Sequence, residues 1–424
     1  MQEQQPPRGL LVRWHSIPLY LRILAGVLLG VIVGLIAGSQ AAVLEIPSKL
    51  VLRLLGALAS PLILLAVVQA LMHAQIPRGS GARLISLLVL NTFFAIGVGL
   101  LVANVVQPGR WTELKVSTEP KSGAKHAPDV MAQFLDNIPK SVLGPLGDEG
   151  KVISVILLAM AFGIALRQVK DVPIKSIADL VEISFRVLVI ILHWIIEVIP
   201  LAVFGIVASI IGKDGFAAFQ GLAVFVLAVL LALLIQVGYY LVRIRFGCWA
   251  RPFDVLWHLR DALVMAFSTA SSTATMPLTY AALRERVGLR ERSASLGALV
   301  GANFNNDGTA LYEAMAALFI SQMLGMHLTF TQQLLVVLTS VAASVGAAGI
   351  PEAGIVTMTL VFNAVGLPIS YIPILLAVDW FLDRCRTAVN VMGDVNVSCL
   401  LDGKIREEAS APVRDQTQTA QETP

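Results

Sequence analysis

Charge is what this chain has least of: Asp, Glu, Lys and Arg make up 14% of its 424 residues, and 56% are hydrophobic. Soluble globular domains carry about 25% charged residues. A water-facing surface needs more charge than this chain owns, so a string of soluble domains is excluded, and a mean hydropathy of +0.78 makes the bilayer the solvent. Cysteine is scarce as well. Cys248, Cys385 and Cys399 form no CxxC pair, which excludes a disulfide framework or zinc site and leaves buried thiols. No long Lys/Arg run or basic–aromatic interleaving occurs, so the net charge of +3 belongs to short loops and not to a nucleic-acid surface. Residues 1–16 lack the apolar centre of a cleavable signal, and the first hydrophobic stretch is expected to stay in the mature protein.

Long apolar runs are abundant. A spanning helix takes about 20 residues, which places spans near Leu19–Gly38, Leu50–Met72, Leu84–Val106, Val152–Leu166, Val181–Ile211 and Phe219–Val242. After Arg251 the runs are interrupted. Val255–Arg290 holds Ser268 to Thr273 and then Pro277, which reads as helix, turn and returning helix. Ser293–Met323 carries Gly301 to Thr309 in its middle, Phe330–Gly366 is split between Ser344 and Pro351, and Tyr371–Leu401 is one long helix with many polar residues. Non-helical backbone at membrane depth is tolerated only where protein or a watery cavity meets it, so these breaks point to a midplane site of the kind secondary transporters use.

The basic residues set the orientation. Arg8, Arg13 and Arg22, Arg78 and Arg83, Arg167, Lys170 and Lys175, Arg243, Arg245 and Arg251, Arg284, Arg286, Arg290 and Arg292, and Lys404 and Arg406 are read as cytoplasmic loop charges. The turns near His327 and Pro368 carry none. That pattern fits only if both broken segments are re-entrant, giving an all-α membrane protein of eight transmembrane helices and two re-entrant hairpins, both termini cytoplasmic and loop 107–150 outside.

The last span carries the strongest chemical signal. Asp379, Asp383, Arg386, Asn390 and Asp394 are spaced 4, 3, 4 and 4 apart, a stripe about 80° wide at ~100° per residue. Ionisable groups on one face of a lipid-embedded helix mark a substrate or ion pathway, with a helix-joining Asp–Arg bridge as the alternative. Arg384 lies on another side. Asp307, between Asn306 and Gly308, offers a carboxylate beside carbonyls freed by a helix break, a hard-oxygen cage for Na⁺ or Ca²⁺ or else an Asx turn. Glu313 is a second carboxylate in apolar sequence, suited to carrying a proton or to a neutral hydrogen bond. His193 and Glu197, one turn apart, are too few for a metal site, and a structural hydrogen bond between them is expected. Glu352, after Pro351, reads as a solvated tip residue.

At SSTATMP, NNDGTALYEA, AAGIPEAGIVTMTLVF and VDWFLDRCRTAVNVMGD the chain resembles the glutamate transporter family, the dicarboxylate/amino acid:cation symporters that include bacterial glutamate/aspartate carriers and human excitatory amino acid transporters. The resemblance covers nearly the whole chain and is strongest from Ala266 to Leu401. It implies the elevator fold and a homotrimer in membrane lipid, multi-pass in a bacterial inner (plasma) membrane. Residues 1–16 would be a cytoplasmic segment, 17–81 and 151–215 scaffold helices, 82–106 and 216–250 transport-domain helices, 107–150 the extracytoplasmic loop, 251–402 the transport core and 403–424 a disordered cytoplasmic tail.

By motif position, Arg386 would pair with the substrate's side-chain carboxylate and Asp383 with its amino group. Thr387, Asn390, Thr309, Ser271, Ser272 and Gly354 would complete the pocket. A guanidinium is a planar fork matched to a carboxylate, and Asp383 favours an amino acid over a plain dicarboxylate. One cation would sit at Asp394 with the carbonyls of Gly301, Asn305 and Asn390. A second would sit near Asp307, Asn305, Asn91 and Thr92, and a third between Asn303 and the carbonyls of Ser344, Val345 and Ala347. Glu313 matches a glutamate linked to proton movement in animal members. Two positions depart from the family pattern: a methionine is replaced by Asn306 and a tyrosine by Leu88. The implied activity is cation-coupled uptake of L-glutamate or L-aspartate without covalent catalysis, with Na⁺ as coupling ion and H⁺ or Ca²⁺ as the alternatives that Asn306 admits. An ion channel and an intramembrane aspartyl hydrolase are the rival readings.

Overall fold

The computed structural model describes residues 17–73, 81–111, 175–215, 217–346 and 353–405, with isolated positions between 141 and 165. Among the described residues every regular element is helical. The first group comprises α1 (Leu19–Ala37), a 3₁₀ segment (Gly38–Glu45), α2 (Ile46–His73), α3 (Gly81–Val106), α4 (Ile177–Asp214) and α5 (Ala217–Gly247). Four helical runs, Leu21–Leu58, Gly81–Trp111, Ile177–Lys213 and Gln220–Gly247, are long and apolar enough to cross a membrane. Their outward faces suit lipid: Leu28, Leu29, Ile32, Leu35 and Ile36 of α1, and Leu227, Leu231 and Leu234 of α5, are all exposed.

Backbone contact between small residues joins α1 to α4. Gly26, Gly30 and Gly34 recur every fourth residue, and a Cβ on them would meet the carbonyl oxygens of Pro200, Phe204 and Ala208 at 2.6, 2.8 and 2.6 Å. Glycine at this spacing lets two membrane helices approach closely enough for dispersion to hold them. At one end of the joint Arg22 is buried and ion-paired with Glu197; at the other Lys213 and Ser209 donate to Glu45. Two expectations are corrected here. Arg22 is a buried helix-pairing residue and not a loop charge. His193 turns its Nδ1 to the Val189 carbonyl at 2.8 Å, while Glu197 pairs with Arg22, because the acid's nearest cation lies on the neighbouring helix.

The second half is assembled from broken helices. Hairpin one comprises α6 (Pro252–Thr269) and α7 (Ser272–Ala281), extended by a π-helical turn at Ala282–Val287. Its tip is a left-handed residue, Ala270 at φ 51°, followed by Ser271, whose hydroxyl accepts from the Ala274 N–H and caps α7. The broken span follows as α8 (Glu291–Ser295), a π turn (Leu296–Val300), α9 (Gly301–Phe304) and α10 (Asp307–Met323). Asn305 (φ −103°, ψ 75°) and Asn306 (φ −104°, ψ 52°) leave the helical region, which narrows the break expected over Gly301–Thr309 to a two-residue joint. Hairpin two contributes α11 (Phe330–Gly346) and α12 (Ala353–Ala364), and α13 (Ile372–Asp402) closes the chain.

α13 runs through the centre of this half, against α5, α10 and both arms of hairpin one. Its C-terminal end is clamped: Trp249 Nε1 and the Arg290 backbone N–H donate to the two oxygens of the buried Asp402 carboxylate at 2.7 and 2.9 Å. The second, third, fifth and sixth expected spans sit inside observed helices that extend past them by up to five residues, and the first overruns α1 by one residue; the sixth ends at Gly247, so Arg243 and Arg245 lie within α5 and are not loop charges. The N-terminal segment, most of loop 107–150 and of the span at Val152–Leu166, Ala347, Glu352 and most of the C-terminal tail lie outside the described residues.

Candidate functional site

Arg386 anchors the site. Its side chain is fully buried, with the Asp383 carboxylate 2.8 Å from Nη2 and Asp379 3.0 Å from Nη1. The i,i+3 spacing of Asp383 brings a hydrogen bond; Asp379, two turns back, contributes charge without one. The guanidinium lies over the Tyr312 ring from α10, 3.9 Å to its centroid, a desolvated cation–π contact. Nε and Nη1 have no hydrogen-bond acceptor among the described residues. Burying donors unmet is costly, so the pocket holds a guanidinium whose fork is only partly used. Gly354 faces that fork: a Cβ there would lie 3.4 Å from both Nη atoms and 3.3 Å from the Thr309 methyl, so glycine lets hairpin two's backbone close over the arginine.

Around the arginine the helix breaks are cross-tied by amides. Asn390 Oδ1 accepts from the Gly308 N–H at 2.8 Å, and its Nδ2 donates to Asn306 Oδ1 and Thr309 Oγ1, both at 3.3 Å. Thr387 spends its hydroxyl on the Asp383 carbonyl, and Ser272 reaches the Ala302 carbonyl at 3.1 Å. Asn306 Nδ2 donates to the Ser344 carbonyl at 2.8 Å. Glu313 is buried and accepts a hydrogen bond from the Thr357 hydroxyl of α12, tying the broken span to hairpin two.

Two buried carboxylates lie beyond this shell. Asp394 receives Asn305 Nδ2 at 3.2 Å, with Gly301 pressed against it: a Cβ there would be 2.6 Å from Oδ1. Its bond is to a neutral amide, and no cationic side chain pairs with it among the described residues. Asp307 is met on both oxygens, by the Thr92 hydroxyl at 2.7 Å and by Tyr240. Asn91 is bonded by Arg243 and Gln236, and Asn303 is turned aside, its amide on the Leu299 carbonyl at 3.2 Å. The structure thus gathers Thr309, Gly354, Asp383, Arg386, Thr387 and Asn390 at one point and Gly301, Asn305 and Asp394 at another, with Ser344 reached through Asn306. Ser271 stands at the hairpin-one tip. Tyr312, Thr357, Gln236 and Tyr240 were not singled out in the sequence, and Arg243 was read there only as a loop charge. The last three lie 4 and 3 residues apart, a polar stripe that helical spacing reveals inside an otherwise apolar span.

Broken helices that converge on a buried, partly used guanidinium inside a lipid-facing bundle define a membrane transporter. Residues 19–404 match the sodium:dicarboxylate symporter family, and the chain belongs to it; it moves solutes and is not an enzyme. It is 30% identical over 408 residues to excitatory amino acid transporter 1 of Ambystoma tigrinum, covering 82% of this chain and 75% of that protein. It is 37% identical over 261 residues to excitatory amino acid transporter 1 of Homo sapiens (61% of this chain, 47% of that one) and 41% over 253 residues to human excitatory amino acid transporter 2 (58% and 43%). The match thus spans less than half the length of the two human relatives.

Proposed function

We propose that the chain is a secondary active symporter that takes up an acidic amino acid, L-glutamate or L-aspartate, down a cation gradient, with Na⁺ as the coupling ion. The observation that carries this is Arg386: a fully buried guanidinium, ion-paired with Asp379 and Asp383, whose Nε has no hydrogen-bond acceptor among the described residues. A side-chain carboxylate of the substrate fits that demand as a bidentate partner. Asp383, 2.8 Å from the guanidinium, would take the substrate's ammonium, and Gly354 and Thr309 would close the pocket. The buried Asp394, hydrogen-bonded by Asn305 and pressed against Gly301, supplies the charge for a coupling cation.

The aspartyl hydrolase reading loses to the same geometry: such a site needs two carboxylates sharing a proton, and here Asp379 and Asp383 flank Arg386. An elevator cycle in a trimeric, bacterial inner-membrane protein with cytoplasmic termini completes the proposal. It is supported by the division between α1, α2 and α4, packed chiefly on one another, and α3 and α5–α13, which wrap the site. The test is binding of aspartate and glutamate to purified protein in Na⁺, K⁺, Ca²⁺ or choline at two pH values, with Arg386→Cys beside the unaltered protein. Binding that rises with Na⁺ and is lost in Arg386→Cys is expected; unchanged acidic-substrate affinity in the variant overturns the pocket.

A further inference from the structure

The polar face of α5 enters the second of the cation positions that the family resemblance lays out. Tyr240 is buried, and its hydroxyl donates to Asp307 Oδ2 while Thr92 donates to Oδ1 at 2.7 Å. Asn91 is equally committed. Its side-chain oxygen accepts from Arg243 Nη1, its backbone carbonyl accepts from Gln236 Nε2 at 3.5 Å, and its Nδ2 points to Asn396 Oδ1 at 3.5 Å. Asn396 in turn donates to the Tyr240 carbonyl at 3.0 Å. Of the amide and carboxylate side-chain oxygens assigned to this position, only that of Asn305 has no donor among the described residues.

A hard cation needs several oxygens turning lone pairs toward one point. Here hydroxyl and guanidinium hydrogens occupy those lone pairs instead. The arginine is also held in place: its guanidinium lies 5.3 Å from the Tyr239 ring centroid, and that ring stacks on Phe94 at 3.7 Å and 11°. Bonded to the Asn91 side-chain oxygen, next in sequence to the Thr92 that donates to Asp307, the arginine sets a fixed positive charge at this position that repels an approaching ion.

We propose that Arg243 is a tethered cation that replaces a coupling ion at the Asp307–Asn91 position, so that this transporter couples its substrate to at most two cations where the motif pattern lays out three. The inference rests on the cation-coupled reading above and predicts how that coupling is reduced.

The test reads Na⁺ binding without substrate, as the rise in melting temperature of detergent-purified protein per decade of Na⁺, with choline keeping ionic strength constant. In the neutral variants Arg243→Gln and Arg243→Met the slope is expected to rise by about half, as two sites become three. Arg243→Lys, which retains the charge, is expected to keep the wild-type slope. Equal slopes in the neutral variants and the unaltered protein overturn the inference. Should the neutral variants not purify, ²²Na⁺ counted against radiolabelled substrate in liposomes carrying the unaltered protein decides the matter: two ions or fewer per substrate support it, and three overturn it. Failure of acidic amino acids to bind would remove the proposed substrate and leave the Na⁺ slopes readable, so the two failures are distinguishable.

Discussion

A single amide shows how finely the residue scale is set. Asn306 Nδ2 donates to the Ser344 carbonyl at 2.8 Å, an oxygen the family pattern assigns to a cation. Asn306→Met removes that donor and frees the carbonyl. At about 1 kcal/mol for a net hydrogen bond, the Na⁺ concentration for half-maximal substrate binding is expected to fall about fivefold, and an unchanged Na⁺ titration would show that the amide does not compete. At Arg386 the expected effect is larger. Removing one partner of a buried charged cluster costs about 3–5 kcal/mol, so Arg386→Cys should weaken aspartate binding at least a hundredfold in the assay above. The stripe from Asp379 to Asp394 was legible because charges recurring at helical spacing in apolar sequence have few explanations. Arg243 and Tyr240 were not read this way, because an arginine near the expected end of a span is ordinarily a loop charge. Here a longer helix carries it back into the bundle to Asn91.

Elements meet by two different means. In the α1–α4 joint, a side chain on Gly30 would collide with the Phe204 carbonyl at 2.8 Å and Val207 Cβ at 2.9 Å. Gly30→Val is expected to destabilise the pair by about 1–3 kcal/mol, seen as a melting temperature several degrees lower with the pocket residues untouched; an unshifted melt would show that the helices part easily. The clamp on α13 is polar. Burial pushes the Asp402 carboxyl up, and hydrogen bonds from the Trp249 indole and from Arg290 together bring it below the ordinary carboxylate value. A depressed pKa contributes stability above the unfolded value, near 3.9, and loses it as pH falls through the folded value. The melting-temperature gap between wild type and Asp402→Asn is therefore expected to be constant from pH 7 to about 5 and to close below about pH 4; a gap persisting in acid would mean the clamp acts through shape. The broken segments were legible from Ser/Gly/Pro clusters and from charge-free turns. The short break at Asn305–Asn306 was not, since nine residues rich in Gly, Asn and Asp do not say which two leave the helix.

For the whole molecule, composition and hydropathy were enough to demand a bilayer, and the motifs from Ala266 onward to name the family that residues 19–404 match. What sequence periodicity did not convey was how α5 and α3 stand against the broken span, which decides whether Asp307 meets an ion or a side chain. That arrangement depends on packing across more than 200 positions of sequence, as in the Thr92–Asp307 bond. The glycine-lined seam between α1 and α4 has a bearing on durability. Along its middle, carbonyl oxygens face Cα atoms with no charge between them, and ion pairs stand only at its two ends. The middle of such a seam holds no charge for salt to screen or acid to titrate, so what those two conditions can loosen is confined to its ends.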